Sequence, residues 1–236
     1  MPELPDRMKN EKELATALVV LFRLFREEFA AGNAPSFFTL AAELTDAIRS
    51  SLGNTFGMAA RGLAGANGVG GGGGNDGGGN SIQGLDDRAN GYASTVAALL
   101  AMKITNDVRF ASPRMTMNGG SLNRGIIVPN NRGIIVPSGL ILPASQQRTL
   151  VDSLLSDNRA QNIAITETTR AISTGEDYGA AAVMALTQAL ATWFWEIEDE
   201  AACEFCKSYD GQERPDIEPP GHPGCRCRKR WIFSAR

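Results

Sequence analysis

The chain has a single histidine, His222, among 236 residues, and no cysteine before Cys203. That scarcity removes most routes to nucleophilic catalysis, because a serine–histidine or cysteine–histidine pair would have to be built on His222 itself. No stretch approaches the roughly 18 uninterrupted apolar residues of a membrane span, so no membrane-crossing helix is expected. The opening segment "MPELPDRMKNEKEL" is charged and lacks the apolar centre of a signal peptide, so export by that route is not expected either. A large charge of one sign is also missing. With a net charge of −3 the molecule as a whole is not a polyanion binder, although a local basic patch can still be one. A cytosolic origin fits, and there clustered cysteines are more often metal ligands than disulfides.

All four cysteines and the histidine fall in "CEFCKSYDGQERPDIEPPGHPGCRC", Cys203 to Cys227. The spacing is Cys-x2-Cys, fifteen residues, then His-x2-Cys-x-Cys. A Cys-x-x-Cys turn lets two thiolates converge on one tetrahedral ion, and a histidine and cysteine from a second turn complete the set, which suits zinc. The prolines and glycines of "PPGHPGC" stiffen that second turn. Cys203, Cys206, His222, Cys225 and Cys227 are five candidates for four places. Cys225 and Cys227 are alternatives for the last, with Cys225 preferred. Two disulfides or a redox pair are the competing uses of these thiols, but no thioredoxin-like strand precedes the Cys-x-x-Cys. A catalytic zinc would keep an open position beside a base such as Glu204 or Asp210. A thiolate-rich, closed set predicts a structural ion and a chain that is not an enzyme.

Charge is arranged around the cluster. Glu196, Glu198, Asp199, Glu200 and Glu204 lie before and within the first turn, while Arg226, Arg228, Lys229, Arg230 and Arg236 lie within and after the second. One reading is internal ion pairing that closes the fold. The other is a phosphate-contacting tail of Arg226, Arg228, Lys229 and Arg230, with Trp231 able to stack on a base.

The rest of the chain reads as helices. "NEKELATALVVLFRLFREEFAAGN" places Leu14, Leu18, Leu21, Phe22, Phe25 and Phe29 at helical spacing, with Asn10 as cap and Gly32 as stop. A second helix is predicted from Ser36 to Leu52, ended by Gly53. Eleven of the eighteen residues from Gly62 to Gly79 are glycine, a composition that predicts a flexible linker rather than a phosphate loop. A third helix is predicted from about Leu85 to Val108. Then seven residues, Asn123 to Pro129, recur identically as Asn131 to Pro137. Ile-Ile-Val is strand chemistry and Asn130–Asn131 is turn chemistry, so a short hairpin-like excursion of two or three strands is expected. Its apolar edge is a candidate contact for a homo-oligomer. From Ser145 the pattern is helical to a stop at Gly175, and a further Ala-rich helix is predicted to carry Trp193 and Trp195 near its end. The expected fold class is mainly α. Its expected units are an N-terminal helical region (1–61), a glycine-rich linker (62–81), a helix with short strands (82–144), and a helical body ending in a zinc knuckle (145–236).

Three segments occur in an order that resembles the Mu F-like head morphogenesis family, the minor capsid proteins of tailed bacteriophages. They are "RAQNIAITETTRA" (Arg159 to Ala171), "WEIEDEAACEFCKSYDGQ" (Trp195 to Gln212) and "PPGHPGCRC" (Pro219 to Cys227). The resemblance covers about residues 145–232. It implies Cys203, Cys206, His222, Cys225 and Cys227 as the zinc site set. It places Arg159, Thr166, Glu167, Thr168 and Arg170 on the family's helix motif, with Glu167 as a partner for an arginine, and Trp195 and Asp199 on the approach to the knuckle. It implies a virion component of the phage head, assembled in the host cytoplasm, that binds the portal or the major capsid protein. The role implied is head assembly and the packaging, retention or ejection of DNA near the portal. Some members carry toxin-like domains after the knuckle; with nine residues following Cys227, none is expected here. The glycine tract and the tandem repeat match no part of the family pattern. A zinc-dependent nucleic-acid-binding regulator, using the basic tail, is the alternative function.

Overall fold

The computed structural model describes residues 7–31, 37–69, 84–111, 126–128, 134–136, 144–198 and 202–235. Its elements in chain order are α1 (Arg7–Ala30), α2 (Phe37–Ala66), α3 (Leu85–Ala111), β1 (Ile126–Val128), β2 (Ile134–Val136), α4 (Ala144–Leu154), α5 (Asp157–Thr187), β3 (Leu190–Glu196), α6 (Glu204–Tyr209) and β4 (Arg228–Ser234). The mainly α class is as the sequence predicts.

Helices α1 to α5 share one apolar core. α1 contributes Leu14, Leu18, Phe22 and Phe25 at intervals of three and four, and α2 contributes Leu40, Leu44, Ile48 and Leu52 at every fourth position. α3 buries a narrow stripe of Ala93, Ala97 and Ala101, continued by Ile104 and Val108, and leaves Leu99 exposed. Small side chains let α2 and α3 approach closely: a Cβ on Gly53 would lie 3.6 Å from that of Ala93. Val151, Leu155, Ala160, Ala164 and Ala171 complete the core from α4, α5 and the turn between them. It therefore draws on residues from both sides of the glycine tract and from both sides of position 145.

Several expected boundaries are corrected. α1 starts at Arg7, so Asn10 is not its cap; the Asn10 amide donates to Thr55 Oγ1 at 3.1 Å, tying α1 to α2. α2 does not end at Gly53 but runs to Ala66, because its buried stripe continues through Phe56, Ala60 and Ala64. Gly175 is not a stop either. The chain breaks earlier, where the Ser156 hydroxyl accepts from Arg159 N–H and caps α5. Gly175 and Gly179 lie inside α5 where it crosses α2, and a Cβ on them would meet the Phe56 carbonyl at 2.5 Å and the Ala60 carbonyl at 2.7 Å. Glycine is there for close approach, not for chain termination.

The predicted helix through Trp193 and Trp195 is also overturned. α5 ends at Thr187, with Gln188 left-handed at φ 57°, and the next residues form a strand. Thr192 and the aromatic residues suit a pleated, half-buried surface, and they find a partner in β4. The pair is antiparallel from Leu190↔Ser234 to Glu196↔Arg228, with Trp193 opposite Trp231 and Trp195 opposite Lys229. Trp193 and Trp195 thus share the buried face. The repeat forms the expected hairpin pairing, β1 to β2 antiparallel with Ile127 opposite Ile135. The segment after β2, where a third strand is allowed for, and Gly32 lie outside the described residues. No described helix is long and apolar enough to cross a membrane.

Candidate metal centre

Cys203 stands at the N-terminus of α6 in extended conformation, and its carbonyl accepts the first helical hydrogen bond from Lys207 N–H at 3.0 Å. One turn on, Cys206 is buried beside Trp195 and Tyr209. The second turn, Gly221 to Cys227, starts against the edge of the Trp195 ring. A Cβ on Gly221 would lie 2.8 Å from Phe205 and 3.2 Å from Trp195, so this close pass needs glycine. The Pro219–Pro220 peptide is cis.

These turns bring the soft donors together. His222 Nε2 lies 3.2 Å from Cys203 Sγ and 3.1 Å from Cys206 Sγ, and Cys206 Sγ lies 3.7 Å from Cys225 Sγ. Two overlapping groups result, Cys203–Cys206–His222 and Cys206–Cys225–Cys227, each with its donor atoms within 4.8 Å of one another. Two sulfurs on one tetrahedral ion at about 2.3 Å stand about 3.7 Å apart, which is the Cys206–Cys225 separation. The His222 Nδ1 is 2.9 Å from the Pro223 carbonyl, which can only accept, so Nδ1 donates to it, and in the neutral ring Nε2 turns its lone pair to the sulfurs. The cluster can hold a metal ion, and all five predicted residues take part in it.

The thiols are not equivalent. Hydrogen bonding from Cys227 draws the Cys225 thiol down to about 5 against the opposing effect of burial, and the Cys227 backbone N–H adds to this, donating to Cys225 Sγ at 3.4 Å. Cys227 shifts upward through the same contact and its burial. Burial also pushes Cys206 up to about 12. The N–H of Cys206 lowers the exposed Cys203.

α5 holds the knuckle from beneath. The Thr166 hydroxyl accepts from Gly224 N–H at 2.8 Å and donates to the Asn162 carbonyl at 2.6 Å. Thr169 donates to the Cys225 carbonyl at 2.8 Å. Glu167 pairs with Arg170 one turn along, and Arg159 binds Asp107 at 2.5 Å and the Leu154 carbonyl at 2.7 Å, fixing the α4–α5 corner to α3. The Asp210–Gly211 turn ties α6 to β3: Asp210 Oδ1 accepts from Ile197 N–H at 3.1 Å, and Gly211, at φ 75°, donates to the Trp195 carbonyl at 2.9 Å. Asp199 lies outside the described residues.

Arg226, Arg228, Lys229 and Arg230 each meet carboxylates of the same chain. Arg226 pairs with Glu11 at 3.0 Å, and Arg228 with Glu196 at 2.7 Å and Glu198 at 3.1 Å. Lys229, fully buried, pairs with Asp177 at 2.7 Å and Glu218 at 3.0 Å and lies over the Trp193 ring. Arg230 reaches Glu196 at 3.6 Å and covers Phe194. Of the acids before the knuckle, Glu196 and Glu198 meet the cations after it, while Glu204 pairs with Lys207 and the other cations find Glu11, Asp177 and Glu218.

Sequence reasoning missed Thr169, Arg7, Glu11 and Glu176. Arg7 pairs with Glu11 at 3.0 Å and with Glu198, and its Nη2 donates to Thr169 at 2.7 Å. Glu176 is buried behind this network, with one carboxylate oxygen lacking a hydrogen-bond partner among the described residues. Burial pushes it up to about 8, against the pull of Arg228. Only the run of adjacent threonines in "TETT" hints at Thr169; nothing local marks the others. Comparison with protein-family models, with curated proteins and with solved structures returned no match.

Proposed function

We propose that this chain is a structural, non-enzymatic minor head protein of a tailed bacteriophage, whose C-terminal end is closed by a zinc ion. One observation carries the reading. The three segments that resemble the Mu F-like family converge in space: Thr166 and Thr169 of the first hold the backbone of the "HPGC" turn of the third, and Gly221, just before that turn, lies against Trp195 of the second. Zinc is the ion that three thiolates and one imidazole favour, with Cys203, Cys206, His222 and Cys225 as ligands. Cys225, whose sulfur stands at ligand separation from Cys206, is taken as the fourth ligand, with Cys227 in the same group of donors as its alternative.

Such a protein acts by binding the portal or the major capsid protein during head assembly, with packaged DNA as a further contact. The nucleic-acid-binding regulator has less support, since its four cations already pair within the chain. Quantitative mass spectrometry of purified DNA-filled particles tests the reading. A reproducible copy number well below that of the major shell protein is expected. Absence from particles despite expression in infected cells would overturn it.

A further inference from the structure

The knuckle and the first turn of α1 lie at opposite ends of the sequence, yet they close one ring of contacts. The Cys225 carbonyl accepts from Thr169, and Thr169 accepts from Arg7. Arg7 donates to one oxygen of Glu11, whose other oxygen accepts from Arg226 at 3.0 Å, and Arg226 is the residue after Cys225. Arg7 also pairs with Glu198, which Arg228 holds from the far side of Cys227. Arg7, Glu11 and Thr169 are all buried. Each of these connections from α1 ends in the stretch between Cys225 and Arg228 or on an acid bound there.

That stretch has little structure of its own. Before β4 begins at Arg228, its one backbone turn contact is Cys225 N–H to the His222 carbonyl at 3.1 Å, among the described residues. Thr166, Thr169 and the sulfur cluster hold the rest in place. We propose that metal occupancy of the knuckle locks the first turns of α1, residues 7–13, onto the bundle, and that metal loss releases them. The proposal rests on the metal-binding reading and adds what the binding controls.

The physical link is the buried charge on Glu11. Two guanidinium groups neutralise it, and a shift of the Cys225–Cys227 backbone withdraws one of them. A buried carboxylate left half-paired favours rehydration, which the first turns of a helix can reach by fraying. Fraying stops at Leu14, because Leu14, Leu18, Phe22 and Phe25 keep their apolar burial whatever the state of the knuckle. Linkage is reciprocal, so loosening α1 weakens metal binding by the factor with which metal protects α1.

Hydrogen exchange of the full chain, resolved on overlapping peptides, tests this with zinc loaded and after chelation, metal content being measured in both states. Chelation is expected to speed exchange in residues 7–13 by about tenfold, within the usual range of such couplings, and to leave residues 14–30 unchanged. At saturating zinc, Glu11→Gln should still load one ion, about tenfold more weakly, yet exchange in residues 7–13 as fast as the stripped protein does. Faster exchange confined to residues 203–227, or spread over the whole chain, would overturn the lock, as would full protection in loaded Glu11→Gln. A chain that takes up no zinc at all would overturn the metal reading, and the lock with it.

Discussion

Thr169 carries two contacts on one hydroxyl, donating to the Cys225 carbonyl and accepting from Arg7, and it is almost fully buried. Thr169→Val keeps the shape and removes both, so the variant should lose about 1–3 kcal/mol in chemical denaturation. The buried Glu176 gives a pH signature. Its folded value of about 8 lies above the ordinary 4.5, so the folded state holds the proton more tightly. This contribution is therefore fully present below about pH 4.5 and is lost as pH rises through 8. The expected loss approaches about 1.4 kcal/mol per pH unit within that window, and Glu176→Gln should flatten the stability profile between pH 5 and 8. An unchanged slope in the variant would assign the pH dependence to other groups. The five soft donors were legible because their chemistry is rare in this chain and their spacing is local. Arg7 and Glu11 were not: their contacts to Thr169 and Arg226 span 162 and 215 positions, and no spacing rule reaches that far.

Helix identity was legible wherever an apolar stripe repeats at every third or fourth residue, as in α1 and along α3. Helix ends were harder. Gly53 and Gly175 have the sequence look of stops, but Gly53 faces Ala93 with room for a Cβ inside a continuing helix, and Gly175 sits where α5 closely approaches α2, a property of the partner helix and not of the local segment. The consequence is a measurable cost. Gly175→Ala would place a Cβ 2.5 Å from the Phe56 backbone carbonyl, so α2 and α5 must move apart. A loss of about 1–3 kcal/mol is expected from such overpacking, read by urea denaturation, whereas Gly65→Ala, with open space around it, should be neutral or stabilising. β3 was read as helix because Ala-rich α5 leads straight into it. Its strand character depends on β4, more than thirty residues later, which supplies Trp231 and Lys229 opposite Trp193 and Trp195.

At the scale of the whole molecule, the bundle core and the knuckle core, two of four apolar clusters among the described residues, are of unequal strength. The bundle core has twenty buried residues from five helices, whereas the knuckle core has five, three of which are cysteines of the metal cluster. Such a small core adds little apolar burial at its end of the fold, so an ion held by the cluster would contribute folding free energy there. Chelation should therefore melt the knuckle and β3–β4 at a lower temperature than the bundle, splitting one transition into two. Cys203→Ser should reproduce that split with chelator absent. The helical class and the cluster were legible in sequence; the single core joining residues on either side of the glycine tract was not, because composition marks a linker without saying what it joins.

Native mass spectrometry of the freshly purified full chain, with elemental analysis of the same sample, tests the metal-closed fold most directly. The account predicts one zinc ion per chain, retained in Cys227→Ser and absent from Cys206→Ser. A metal-free chain whose four cysteines are reduced, and whose melting is the same before and after chelation, would contradict it.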